Sequence, residues 1–189
     1  MKKNICIPVL LALLSFMTAC ANAQGSQNKG NEENHSSDSV AIAKVYMFTE
    51  ISSDNLVKIY EALGRKATGK VAVKISTGEP GGHNFLDPNL IKDLVQKVNG
   101  TIVECNTAYG GGRTNAADHM RAAEEHGFTA IAPVDIMDAE GEVELPLKGG
   151  RHLTRDIVGS PFLNYDFAII LYHFKGHAMG GFGGAITNM

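Results

Sequence analysis

Two imidazoles, His173 and His177, stand at His-x3-His spacing near the end of the chain. On a helix that spacing would set both rings on one divalent metal ion, or provide a paired acid and base. No third ligand stands at motif distance, and Gly176 between them weakens a helix, so the alternative is a polar glycine-rich loop with two incidental histidines. Lys175 lies between the pair, and Gly180-Gly181 and Gly183-Gly184 follow, allowing close approach of backbone to a ligand. Upstream, Lys74 interrupts an apolar run, where an ammonium needs a partner or a ligand unless it reaches out to water. Tyr109-Gly110-Gly111-Gly112-Arg113 runs into a helix start, where free N–H groups and a guanidinium could hold an anion; a flexible glycine turn is the plainer reading. Glu79 and Glu104 are the carboxylates placed to act as a base, and Asn106 is a polar group on the same stretch as Glu104. His119 and His126 share one helix two turns apart, too far for one metal, and His126 beside Gly127 suits the helix C-terminus. His83, after Gly81-Gly82, is either a ligand or a surface residue.

The elements that must position these residues alternate. Val40 to Thr49 reads as a strand, and Ser52-Ser53-Asp54 caps a helix through Leu56, Ile59, Tyr60 and Leu63, stopped by Gly64. Lys70 to Ser76 is a β-branched strand. Asp87-Pro88 opens a second helix, with Leu90, Ile91, Leu94, Val95 and Val98 at helical spacing and Asn99-Gly100 as its stop. Thr101 to Cys105 is a strand, and Thr114 to His126 a helix whose apolar face is Ala116, Met120 and Ala123. Phe128 to Val134 and Phe167 to Tyr172 read as apolar strands, the latter interior to the sheet because it is apolar on both faces. Residues 138–165, with Gly141 and Gly149-Gly150, suggest a hairpin or excursion. The fold class is α/β: a mostly parallel sheet with flanking helices, Rossmann-like and three-layered. In such sheets ligands bind beyond the strand carboxyl ends. Lys74, Glu104 and His173 each follow a strand, so they should meet at one edge.

Composition sets outer bounds. The 189 residues are 44% hydrophobic and 20% charged, which excludes collagen-like and wholly disordered chains. The net charge of −3, with no Trp and no basic run, gives no footprint for nucleic acid. Lys2 and Lys3 precede the apolar stretch Ile5 to Met17, too short to span a bilayer but suited to a secretory signal. A plain signal cleaved near Ala21 or Ala23 is one reading. Residues 21–39 contain no Val, Ile, Leu, Met or aromatic residue and read as a disordered tether. Three cysteines, Cys6, Cys20 and Cys105, cannot build a disulfide framework or a four-cysteine iron–sulfur cluster on this chain alone.

Met17-Thr18-Ala19-Cys20 resembles the lipobox of bacterial lipoproteins, which implies cleavage after residue 19 and lipidation of Cys20. The organisation expected is a signal peptide over 1–19, a lipidated Cys20 and tether over 20–39, and an α/β domain over 40–189. The location expected is the bacterial cell envelope, lipid-anchored and extracytoplasmic.

His173-Phe174-Lys175-Gly176-His177 with Gly181-Phe182-Gly183-Gly184-Ala185 and Asn188 resembles the signature of domain-of-unknown-function family 362. Its members are often described as uncharacterised iron–sulfur-center proteins. The likeness extends upstream through Lys74, Gly78-Glu79, Asn106-Thr107, Tyr109, Arg113, Asn115-Ala116, His119, His126, Gly127 and Phe128, covering residues 44–189. Three departures stand out. Relatives often carry ferredoxin-like cysteine clusters, whereas Cys105 is the sole candidate here. The lysine usual before the asparagine is Thr187. The chain stops at Met189 inside the signature, so a domain incomplete at its C-terminus is expected.

The resulting expectation is an extracytoplasmic lipoprotein domain with a metal- or anion-binding active site. His173, His177, Lys74 and Glu104 would be catalytic, with His173 and His177 as metal ligands. Glu79, Asn106, Tyr109, Arg113, Lys175, Gly183 and Gly184 would bind a small anionic ligand. The other reading is a non-catalytic ligand-binding or redox-accessory lipoprotein, partnering redox proteins whose clusters lie on other chains.

Overall fold

The computed structural model describes residues 43–188. The signal segment, Cys20, the tether and the start of the expected first strand lie outside those residues. Residues 43–48 adopt no regular secondary structure and are exposed, so the strand expected over Val40 to Thr49 is not formed there. Its apolar residues have no neighbouring strand to pair with, and β propensity without a partner does not hold a strand.

Capping chemistry fixes the helices. In α1 (Ser53–Ala62) the Ser52 hydroxyl accepts from the Asn55 N–H at 3.3 Å. In α2 (Pro88–Lys97) the Asp87 carboxylate accepts from the Asn89 N–H at 2.8 Å, and Pro88 sits in the first turn, where no donor is lost. In α3 (Ala116–Glu125) the Asn115 amide oxygen accepts from the Asp118 N–H at 2.9 Å. The helix ends before Gly127, whose φ of 84° few other residues could adopt. Its buried face is His119, Ala122 and Ala123, rotated from the expected Ala116, Met120 and Ala123.

Four parallel strands form the central sheet in the order β3 (Val134–Ile136), β2 (Gly100–Glu104), β1 (Val71–Lys74), β6 (Phe167–Ile170). With α1, α2 and α3 alongside, the architecture is α/β with a mostly parallel sheet and flanking helices. Val71, Val73 and Ile102 point to one face, where Ile91 and Val95 of α2, Ala123 of α3 and Phe128 cover them. Ala72 and Val103 point to the other, against Met137, with Phe162 and Tyr165 alongside. A Cβ on Gly100 would lie 2.7 Å from Val73, so only glycine lets α2 turn so tightly into β2.

Three expectations need correction. Phe128 to Val134 is not a strand: Phe128–Ala130 is a 3₁₀ turn that plugs Phe128 into the core, and the chain pairs with β2 only from Val134. Burial of an aromatic ring won over the β pattern of the run, an advantage of about 2–3 kcal/mol. The strand Phe167–Ile170 is at the sheet edge rather than inside it, and it stops two residues short of Tyr172. His173 and His177 are not on a helix: β7 (Lys175–His177) and β8 (Gly181–Gly183) form an antiparallel hairpin, because Gly176 weakens a helix and Gly181, at φ of 77°, lets the chain turn back. Within 138–165 the excursion is a hairpin of β4 (Glu142–Pro146) and β5 (Arg155–Gly159). Among the described residues no helix is long and apolar enough to cross a membrane.

Candidate functional site

The register decides which side chains can meet. Lys74 pairs with Val103 on one side and Ile170 on the other, and the Leu171 N–H donates to the Lys74 carbonyl at 2.9 Å. Lys74, Glu104 and the segment leading to His173 therefore leave three adjacent parallel strands at one carboxyl edge.

Glu104 is the centre of that edge. Its carboxylate, 5% exposed, accepts from Lys74 Nζ at 2.6 Å through Oε2. Through Oε1 it accepts from the Thr77 N–H at 2.9 Å and Arg113 Nη1 at 3.3 Å. A buried carboxylate is tolerated only with such a set of donors. Lys74 also donates to the Ile75 carbonyl at 3.0 Å and to Asn188 Oδ1 at 3.2 Å, so all three ammonium protons are used. Lys74 is thus a partnered interior lysine and does not reach out to water.

Arg113 is placed by its loop, whose closure the Thr107 N–H makes by donating to the Arg113 carbonyl at 2.8 Å. Its guanidinium lies between two carboxylates. Nη1 faces buried Glu104, while Nε and Nη2 donate to Glu79 Oε1 at 2.9 and 2.6 Å. Arg113 is 12% exposed and Glu79 51%. Gly111 and Gly112 bring the two loops together: a Cβ on Gly112 would lie 2.5 Å from Pro80.

A second layer joins Asn106, expected from the sequence as a ligand-binding residue, to Thr77 and His119, which sequence reasoning did not single out as site residues. Thr77 and His119 are fully buried, with Thr77 Oγ1 and His119 Nε2 2.8 Å apart. His119 Nδ1 faces Asn106 Oδ1 at 3.3 Å, and the Asn106 N–H donates to Asp138 at 2.9 Å. Burial holds the His119 pKa below its ordinary value, with Glu104 pulling the other way, so the ring is neutral at pH 7. Thr77, His119 and Asn106 have the connectivity of a nucleophile, a base and an orienting amide. Thr77, however, is closed to any substrate, so the trio positions the cluster and does not attack. The signal that could have found His119 is its spacing to Ala122 and Ala123, which places it on the buried helix face. Thr77 is also the hinge to His126, whose Nδ1 lies 2.7 Å from the Thr77 carbonyl and whose ring stacks on Phe85 at 3.9 Å. His126 is also the C-cap of α3, as its place beside Gly127 suggests, its N–H donating to the Ala122 carbonyl at 3.0 Å.

Cys105 follows Glu104 and is half-buried. Its thiol is pushed up to about 11, first by burial and then by Asp138, which keeps it protonated at neutral pH.

The hairpin is different in character. His173 and Lys175 are exposed, and Tyr109 on the other loop is exposed too. His177 Nδ1 accepts from the Met179 and Gly180 N–H groups at 3.3 and 3.0 Å, which leaves its ring proton on Nε2. Gly183 faces the Tyr172 hydroxyl, which a Cβ would meet at 2.9 Å, and Gly184 lies near Phe174. No hydrogen bond joins His173, Lys175 or His177 to the Glu104 cluster among the described residues. Nor do the described residues gather three His, Cys, Asp or Glu side chains in a metal-binding arrangement. A separate open cavity of about 570 Å³, lined by His83, Phe85, Asp87 and His126 among others, includes none of the cluster.

Comparison with known families gives one match over residues 71–189, to the family described as Domain of unknown function (DUF362). The matched span runs from β1 past the hairpin and contains every side chain of the cluster. No curated protein and no solved structure matches the chain.

Proposed function

The chain belongs to the DUF362 family, and on that premise we propose that it is a lipid-anchored envelope protein binding a small anionic ligand at the sheet's carboxyl edge. The observation that carries this reading is Arg113, a nearly buried guanidinium shared between buried Glu104 and half-exposed Glu79. Glu104 and Lys74 form the fixed floor. Glu104 holds Arg113 by Nη1 and leaves the Nε–Nη2 edge towards the outer carboxylate. That edge is the one with the geometry to take an anion. His119 stays neutral and fixes the Thr77 end of the floor. His173, Lys175 and His177 leave the same sheet edge and would serve as outer polar groups.

The anchor rests on the sequence ahead of the domain: an apolar signal ending in Thr18-Ala19-Cys20, followed by a polar tether. Labelling cells with a palmitate analogue should mark the wild type and not Cys20→Ala; equal labelling would end the lipoprotein reading. The ligand reading is tested by titrating purified protein calorimetrically with succinate and with inorganic phosphate. Binding should be lost in Arg113→Gln. Equal binding by wild type and Arg113→Gln would place the anion elsewhere.

A further inference from the structure

Glu79 holds Arg113 in an unusual way for so exposed a residue. Both Nε and Nη2 of the guanidinium converge on one oxygen, Oε1. A guanidinium fork is best matched by a carboxylate using both oxygens in parallel, so this pairing leaves half of the carboxylate's acceptor capacity unused. The two partners also differ in what separation would cost. Glu79, half exposed, returns to water freely, and an exposed ion pair of this kind is weak. Arg113 does not: with only 12% of its side chain exposed, it needs an anion on that edge.

The backbone around Glu79 is suited to exchange. Gly78 precedes it and Gly81 follows it after Pro80, at φ of 78° and 70°, and the Gly82 N–H closes the turn onto the Glu79 carbonyl at 2.9 Å. Arg113 is the side chain of the opposite loop that holds this carboxylate, and only through Oε1; Oε2 faces Gly111, where a Cβ would stand 3.1 Å away. Gly110 beside it has nothing within 4 Å of where a Cβ would be. Lys74 offers no competing anchor, since its three protons are taken.

We infer that Glu79 occupies the place of a ligand carboxylate, and that the protein's ligand is a small carboxylic acid that displaces Glu79 from Arg113. This rests on the anion-binding reading above and narrows it to a chemical class and a displacement. The ligand carboxylate would lie side-on against Nε and Nη2, with one oxygen on each, while Glu104 keeps Nη1. Glu79 would then turn out to solvent, its turn opening about Gly78 and Gly81. No bond forms or breaks; the exchange is one ion pair for another.

The test is an NMR titration of the full-length protein at fixed ionic strength with succinate, acetate and inorganic phosphate, following the Arg113 Nε–H and Gly111 amide signals. Wild type, Glu79→Gln and Arg113→Gln are compared. Removing the resident carboxylate should tighten succinate and acetate about fivefold, the scale of one half-exposed ion pair, and phosphate less. Arg113→Gln should bind none of the three. If wild type binds through Arg113 but Glu79→Gln binds equally or more weakly, Glu79 is part of the cradle and the displacement is wrong while the anion site stands. If phosphate gains more than the carboxylates, the ligand class is wrong. If neither wild type nor Glu79→Gln binds any probe, or Arg113→Gln binds like wild type, both readings fall together.

Discussion

The carboxyl edge of β1 and β2 and the β7–β8 hairpin both collect histidine, lysine and glycine, yet they solve opposite problems. At the sheet edge, Lys74, Glu104, Thr77 and His119 are withdrawn from water and satisfied by one another. On the hairpin, His173 and Lys175 face solvent, and so do Phe174, Met179 and Phe182, with only Phe174 and Phe182 in ring contact at 5.5 Å. The contrast shows that residue type alone does not make a site. Burial raises the energetic stakes of every polar group, and only the sheet edge has met them.

Substitutions can break this contrast, and the largest effect belongs to Glu104. Glu104→Ala leaves Lys74 without its carboxylate in a mostly buried setting and Arg113 with half-exposed Glu79 alone, and should cost about 3–5 kcal/mol in denaturant unfolding. His173→Ala, at the exposed counterpart, should stay within about 0.5 kcal/mol. Comparable losses would mean that the hairpin is as integral as the edge. Next come the glycines. Gly112→Ala drives a Cβ against Pro80 and should cost about 1–3 kcal/mol. Gly176→Ala meets nothing within 4 Å and should be near neutral. A neutral Gly112→Ala would show that the two loops do not need their close contact.

A smaller effect comes from pH. The folded pKa of His119 lies below its ordinary 6.5, so the unfolded chain takes up the proton first as pH falls. Its contribution to stability is therefore complete above 6.5 and is lost as pH drops through the lower folded value. Thermal melts should show this slope in wild type and a flatter one in His119→Gln; an unchanged slope would remove His119 from the account. Smallest is the thiol. With its pKa raised to about 11, Cys105 should alkylate with iodoacetamide at pH 7.5 more slowly in the native protein than in denaturant. Equal rates would place it in an open, polar setting.

Much of this was legible in the chain. Ser52, Asp87 and Asn115 announce their helices because a side-chain acceptor next to free N–H groups is a local effect. The run Val71-Ala72-Val73 announces a buried strand because both faces need apolar cover. Lys74, Glu104 and Arg113 could be assigned to one edge from strand polarity alone. What the sequence concealed depends on distant partners. Phe128 carries a strand-like pattern but fills a gap between α2 and the sheet, and the position of Phe167–Ile170 at the edge is a matter of strand order. His173 and His177 have the spacing of a helical pair, yet the glycines that follow let the chain fold back on itself. His119 stands two turns from His126, too far to share a metal, and its place in the cluster comes from Thr77, 42 residues away.

The claim that the centre lies at Arg113 and Glu104 is tested most directly by a crystal structure of the protein grown with succinate. The account predicts a carboxylate side-on against Arg113 Nε and Nη2, Glu104 still on Nη1, and Glu79 turned to solvent. Succinate seated against His173 or His177, with Glu79 still paired to Arg113, would contradict it.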